Sequence, residues 1–372
     1  MSGKNIAVTH STFANANDDT LKYLRDGNYT LILDEVLDIL IGYNTIASKK
    51  ISAGDPKLLI DKNVISVDEV GKVTWISNDA YEKTTFADIK RLADRGNLFY
   101  LDESLFVWEF PAEVFNAFDE AFVMTYLFDG SYLKPYFGYS GIDYELMTLV
   151  DGELVPYQPT PIGQLQRIRS LINLDTDKRR NNYDNYSLSK NWFLNNKSDV
   201  DGLRKCIKNY VTNITKAKAT QIMWTAFEDE KQKKIKSSLK DNGYRIRTPT
   251  ATELEEIYTN KHLTEAEKNK ALERAKQCYV SNNARASNEY RERNVVIYAL
   301  NYFPNKYVER YFSLRGYPIN KDMISLGVMI QFIWRSAIRD DKPISLYVPS
   351  TRMRTLLMKW LSGQFSCGAI AA

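Results

Sequence analysis

Tyr29-Thr30-Leu31-Ile32-Leu33-Asp34-Glu35-Val36 is an apolar run that ends in two adjacent carboxylates. Leu31 to Leu33 read as a strand buried on both faces, too short and too rich in β-formers for a helix. Asp34 and Glu35 then sit at the carboxyl end of that strand, where open α/β sheets bind ligands. In that position one carboxylate can hold Mg²⁺ through water while its neighbour orients or deprotonates an attacking water. An apolar strand capped by acids also arises without any site, so its meaning depends on what surrounds it.

On the amino-terminal side, Ile6 to Val8 read as a short buried strand followed by Thr9-His10-Ser11-Thr12. The pattern predicts a helix from about Asp18 to Arg25, stopped at Asp26-Gly27, and another from about Val36. Strand, helix, strand, helix in this order implies a parallel sheet with crossovers. Further on, Val64–Val67 and Val73–Ile76 flank Gly71 as a hairpin, and Leu98–Leu101 with Leu105–Trp108 form a second. Asp79 to Arg95 reads as the helix between them. Ala121 to Met124 is a strand leading into Thr125-Tyr126-Leu127-Phe128.

The passage from Pro156 to Asn185 has the composition of an inter-domain stretch. It holds Pro156, Pro159 and Pro161, a helix from Gln164 to Ile172, and the polar run Asp175 to Asn182. The boundary is therefore placed near residue 180, giving domains 1–180 and 181–372. The α/β pattern then restarts. Lys205 to Asn213 reads as a helix and Thr220 to Thr225 as a strand. Glu228 to Leu239 is a charged helix whose lysines read as a solvated face. Thr264 and Glu267 have capping-box spacing. Val295 to Ala299 and Ile344 to Val348 are strands, the latter followed by the basic Arg352-Met353-Arg354.

The 372 residues suffice for two cores. With 44% hydrophobic and 26% charged residues the composition is that of a soluble globular protein. Fifty basic against 46 acidic residues, net +4, permits nucleic-acid binding without requiring it. Three scattered cysteines and two histidines, with no CxxC pair, argue against zinc sites and disulfide frameworks and fit a reducing cytoplasm. No apolar run is long enough to span a membrane, and the start has no signal-peptide core.

Two further segments could carry chemistry. Gln331, Arg335 and Arg339 recur at i, i+4 and i+8, so a continuous helix would line them on one face. Such a row suits a polyphosphate, although an amphipathic surface helix has the same spacing. Asn282 to Tyr290 is small, polar and placed before a strand. It could contact phosphates or be an ordinary solvent loop.

Taken in order, Thr9-His10-Ser11, Leu31–Val36, Asn283–Asn288 and Gln331–Arg339 resemble segments of superfamily 2 helicases. The match is to the DEAD/DEAH-box-like group carried by bacteriophages and prophages. The resemblance implies an α/β fold of two RecA-like parallel-sheet lobes, the first N-terminally truncated, with β-hairpin insertions. It implies an ATP-dependent helicase or translocase using ATP and Mg²⁺ on single-stranded or duplex nucleic acid, with DNA favoured over RNA, in the cytoplasm of a bacterial host.

Carried over by position, Asp34 would hold Mg²⁺ and Glu35 would activate water. Thr9, His10 and Ser11 would touch the nucleic-acid backbone, and Thr125 would couple hydrolysis to strand binding. Ser287 and Asn288 would also meet nucleic acid, with Arg285 at the nucleotide. Gln331 would contact the nucleotide, and Arg335 or Arg339 would be the arginine finger.

One departure weighs heavily. The sequence contains no GxxxxGK[ST] phosphate cradle: Gly3-Lys4 is followed by Asn5, and Gly71-Lys72 by Val73. The resemblance therefore implies a fragment or split enzyme needing a P-loop from a separate polypeptide. The alternatives are a non-catalytic nucleic-acid-binding helicase-like protein and a phage structural or regulatory protein. Loss of the P-loop strand would also expose hydrophobic strand edges in the first lobe.

Overall fold

Thr30–Leu33 does form a strand, β1, as its β-favouring residues require. The computed structural model describes residues 5–8, 13, 16, 18–34, 36–78, 84–103, 105–227, 251–275, 278–282 and 289–365. The chain is a mixed α/β protein with parallel sheets, divided into two compact units. The first comprises Met1–Pro156 with Pro304–Asn320, the second Tyr157–Phe303 with Lys321–Ala372. The boundary expected near residue 180 thus falls inside the second unit. The polar run there is not a linker, because Arg180 pairs with the buried Asp175 at 2.7 Å.

The first unit holds β1, β2 (Leu40–Gly42), β3 (Ile65–Val67), β4 (Val73–Trp75), β5 (Leu98–Leu101), β6 (Leu105–Glu109), β7 (Glu120–Val123), β8 (Met147–Val150) and β9 (Glu153–Pro156). β1 pairs in parallel with β7, Leu33 opposite Val123. Among the described residues this sheet has two strands. Leu33 is buried, but Ile32 is 64% exposed and Phe122, its partner across the pair, 40%. The expectation of burial on both faces is therefore corrected: the unit's core covers one face.

No strand forms at residues 6–8, and Ile6 and Val8 are exposed. The helix expected from Val36 is also absent. Leu37 and Ile39 are buried around an exposed Asp38, a period of two, and the chain runs straight into β2. β2, β6 and β5 make a three-stranded antiparallel sheet. Within the stretch expected to be helical from Asp79 to Arg95, the helix is Ala87–Asp94, and residues 79–83 lie outside the described set.

Both expected hairpins form, β3 with β4 and β5 with β6. Gly71 turns the first at φ +84°, where a Cβ would lie 2.6 Å from the Tyr100 carbonyl oxygen, so only glycine fits. A further hairpin, β8–β9, turns at Asp151-Gly152 with φ of +52° and +90°, the conformation that an Asp-Gly pair favours. The core is rich in rings. Phe106, Phe110, Tyr136, Tyr311 and Phe312 are each at most 1% exposed. Tyr311 and Phe312 come from the helix Lys306–Leu314, which the late segment brings into this unit.

The second unit is built on β10 (Ile172–Leu174), β11 (Ile222–Thr225), β12 (Val295–Tyr298) and β13 (Ile344–Tyr347). They form one parallel sheet in the order β10-β13-β12-β11. β11 and β12 are buried along their whole length, as a sheet covered on both faces demands. Ile222, Trp224, Val295 and Ile297 share a core cluster with Phe193 and the helix Lys197–Asn209. Tyr298 meets Phe332 of the helix Lys321–Ile333 at 5.6 Å. The Thr264–Glu267 capping box forms as expected, each residue bonding the other's backbone N–H. The charged stretch 228–239 lies outside the described residues.

Candidate functional site

Open α/β sheets take their ligands at the carboxyl ends of the strands. In the second unit that edge is covered by the chain itself. The Asp175 N–H donates to the Leu346 carbonyl at 2.8 Å, and the Tyr347 hydroxyl donates to the Arg180 carbonyl at 2.7 Å. Tyr183 bridges Ser350 in parallel. The fully buried Asn301, just past β12, donates its side-chain amide to the carbonyls of Asn185 and Ser187 at 2.8 and 3.1 Å. Segment 175–189 therefore lies across the ends of β13 and β12.

The basic side chains at this edge are engaged with the same segment and its neighbours. Arg180 makes a two-pronged contact with Asp175, at 2.7 and 3.2 Å, and this bond and charge hold its guanidinium pKa above the usual value. Arg354 donates to Asn181 Oδ1 and the Val348 carbonyl, each at 2.8 Å, and its burial lowers its pKa. Arg352 reaches the Tyr302 carbonyl at 2.8 Å and Asp322 at 2.6 Å. These groups pin loops; they close the edge rather than furnish it.

The opposite, amino edge is where the row Gln331, Arg335 and Arg339 ends up. The expected continuous helix is corrected here: it stops at Ile333, and Arg339 sits in a separate 3₁₀ turn, Ala337–Asp340. The three side chains do not share one helical face. The Ala337 N–H donates to the Arg293 carbonyl, and Arg291 pairs with Asp340, so this turn lies beside the segment entering β12. Arg167, within the helix Ile162–Leu171 that leads into β10, pairs with Asp341 at 2.7 Å. Arg293 is fully buried and directs its guanidinium to the Ile222 and Ala275 carbonyls at 3.4 and 3.5 Å, with Tyr290 stacked beneath it at 4.5 Å.

In the first unit, Asp34 and Thr125 follow the neighbouring parallel strands β1 and β7, with the Met124 N–H bonded to the Leu33 carbonyl. The structure thus brings this pair to one sheet end. Asp34 is exposed. Among the described residues no group of three or more His, Cys, Asp or Glu could hold a metal ion. Mg²⁺ is ordinarily held by one or two carboxylates together with substrate phosphates. Thr9, His10, Ser11, Glu35, Arg285, Ser287 and Asn288 lie outside the described residues.

The charge is divided between the units in a way the total of +4 conceals. Of the 50 basic and 46 acidic residues, the first unit holds 16 and 26, a net −10, and the second 34 and 20, a net +14. Counting by half chain rather than over the whole would have exposed this asymmetry. It would also have drawn attention to Arg169, Lys216, Lys218 and Lys342, which each precede a strand of the basic unit.

A parallel four-stranded sheet with helices packed on it gives the second unit the architecture of a Rossmann-like domain. The family described as the YonV C-terminal Rossmann-like domain matches residues 166–361, and the YonV middle domain matches residues 46–108. The chain belongs to the YonV family. It is 33% identical to the SPbeta prophage-derived protein YonV of Bacillus subtilis (strain 168), an alignment covering 96% of this chain and 80% of that protein. No solved structure matches the chain. No helix among the described residues is long and apolar enough to cross a membrane.

Proposed function

We propose that this chain binds nucleic acid through its basic Rossmann-like unit and does not turn over ATP by itself. In this reading it is a helicase-like binding protein of a prophage, acting in the host cytoplasm, with the second unit in the place of the second RecA-like lobe. The observation that carries the reading is the concentration of net +14 in that unit against −10 in the other. Phosphate-backbone binding draws its affinity from such a concentration of Lys and Arg. Two observations weigh against self-contained ATP hydrolysis: the sequence has no GxxxxGK[ST], and Arg335 and Arg339 lie at the amino edge. A complete helicase or translocase would need a phosphate cradle from outside this sequence, leaving Asp34 to meet Mg²⁺.

Titration of the purified chain against labelled single-stranded and duplex DNA tests the binding. The affinity should fall by about a hundredfold or more between about 50 and 200 mM salt, as multiple phosphate contacts require. No detectable binding at the lower salt would overturn the reading. The same chain should show no ATP hydrolysis with or without DNA. Turnover by the chain alone would restore the complete-enzyme reading.

A further inference from the structure

We infer that the nucleic-acid backbone runs along the amino edge of the second unit's sheet, contacting the basic residues that enter each of its four strands. The inference rests on the proposed function and locates its binding surface. Arg169 precedes β10, Arg339 and Lys342 precede β13, Arg291 precedes β12, and Lys216 and Lys218 precede β11. All six are exposed. The strand order β10-β13-β12-β11 sets them in a row across the sheet rather than scattering them round the unit. The hydrogen bond from Ala337 to Arg293 and the ion pairs Arg291–Asp340 and Arg167–Asp341 fix these entry segments side by side.

The size of the row fits the ligand. Four strands at about 4.8 Å per step span about 14 Å. Duplex DNA carries one charge per about 1.7 Å of its axis, so the row faces several phosphates at once. The acidic groups on this edge leave it positive. Asp340 is paired with Arg291, itself one of the six, and Asp341 with Arg167, so these two pairs add no net charge and the other five cations outnumber Glu292, the other exposed carboxylate beside β12.

A basic residue at a helix C-terminus can serve merely to offset the helix dipole, and Arg169 is so placed. Arg339, Lys342 and Lys218 stand outside the α-helices, where that account does not reach them. At the carboxyl edge Arg180, Arg352 and Arg354 are held by the chain's own carbonyls and carboxylates, and the exposed Lys178, Arg179 and Lys190 lie on or just after the one crossing segment instead of before separate strands.

The test is a comparison of two charge reversals in the full chain. One variant carries Arg169→Glu, Lys216→Glu and Arg339→Glu at the amino edge. The other carries Lys178→Glu, Arg179→Glu and Lys190→Glu, exposed residues in or just after the segment crossing the carboxyl edge. Both change the net charge equally. Binding to a short labelled single strand and its duplex is followed by fluorescence anisotropy across salt concentrations, with circular dichroism to confirm folding.

The amino-edge variant should lose more than about tenfold in affinity, and its salt slope should fall by roughly three, one per lost phosphate contact. The carboxyl-edge variant should lose less than about threefold. Equal losses would overturn the placement while leaving the proposed function standing. A wild-type chain that fails to bind would overturn both. Should the Glu variant misfold, Arg169→Gln, Lys216→Gln and Arg339→Gln remove the charges without adding repulsion and should lower the salt slope by the same amount; an unchanged slope would overturn the placement.

Discussion

Glu109 is a carboxyl group enclosed by rings. It is 7% exposed, accepts a hydrogen bond from the Tyr311 hydroxyl, and stands near Arg315, whose guanidinium lies 3.5 Å from the Tyr311 ring centre. Burial pushes its pKa up to about 7, against the pull of the Tyr311 hydroxyl, Arg315 and Lys72 and with a smaller push from Glu113. The folded state therefore holds a proton that the unfolded chain, at its ordinary carboxylate value of 4.5, releases earlier. Stability from this source is fully present below about pH 4.5 and is lost as the pH rises through about 7, on the order of 3 kcal/mol in all. Glu109→Gln should remove that slope in urea denaturation followed across the window. A variant with the wild-type slope would refute the assignment. In the second unit the buried Asp175 is paired with Arg180. Arg180→Met should leave the buried carboxylate with the Asn181 amide but no counter-charge and cost about 3–5 kcal/mol, read as a lower denaturation midpoint. A cost under about 1 kcal/mol would show that the pair is not structurally required.

Among the elements, β1 shows what local sequence can and cannot specify. Its existence follows from the strand-favouring Tyr29, Thr30 and Ile32, but its burial depends on what packs against each face of the sheet, which no local pattern encodes. Leu33 faces the core, and Leu33→Ala should cost about 2–5 kcal/mol. Ile32→Ser, on the open face, should change stability by no more than about 0.5 kcal/mol. Equal costs in thermal denaturation would mean that both faces are covered. The hairpins β3–β4 and β5–β6 were legible because their turns and alternation are local, and so was the Thr264–Glu267 box, whereas β8–β9 was not read. The Gln331–Arg339 row was not. Beyond Ile333 the backbone tightens into i to i+3 bonds, Arg335 to Phe332 and Ser336 to Ile333, while Trp334 packs on Trp360 at 5.6 Å. Spacing predicted one face; packing between distant segments divided it. The candidate site suffered likewise. The structure brings Asp34 and Thr125 to one sheet end through the parallel pairing of β1 with β7, which no local pattern encodes, and the basic strand entries likewise emerged only once the order of the sheet was known.

At the scale of the molecule, the chain passes between its two units three times, after Pro156, Phe303 and Asn320. The segment Pro304–Asn320 interrupts the second unit between β12 and the helix Lys321–Ile333, yet its side chains complete the core of the first. Phe312 is fully buried there and stacks on Tyr132 with the rings 7° apart. This connectivity explains why no single cut point was legible in the sequence: a boundary sought along the chain assumes that each unit is continuous. It also makes a test of independence possible. Phe312→Ala removes a ring from the first core and should cost that unit about 3–5 kcal/mol. If each core is its own cooperative unit, native-state hydrogen exchange should accelerate in β2, β5 and β6 and stay slow in β11, β12 and β13. The variant residue lies only a few positions from the second unit along the chain, so continued protection of β12 would locate cooperativity in the packed core and not in sequence proximity. Acceleration in both sheets together would instead show that the three covalent crossings bind the units into one folding transition.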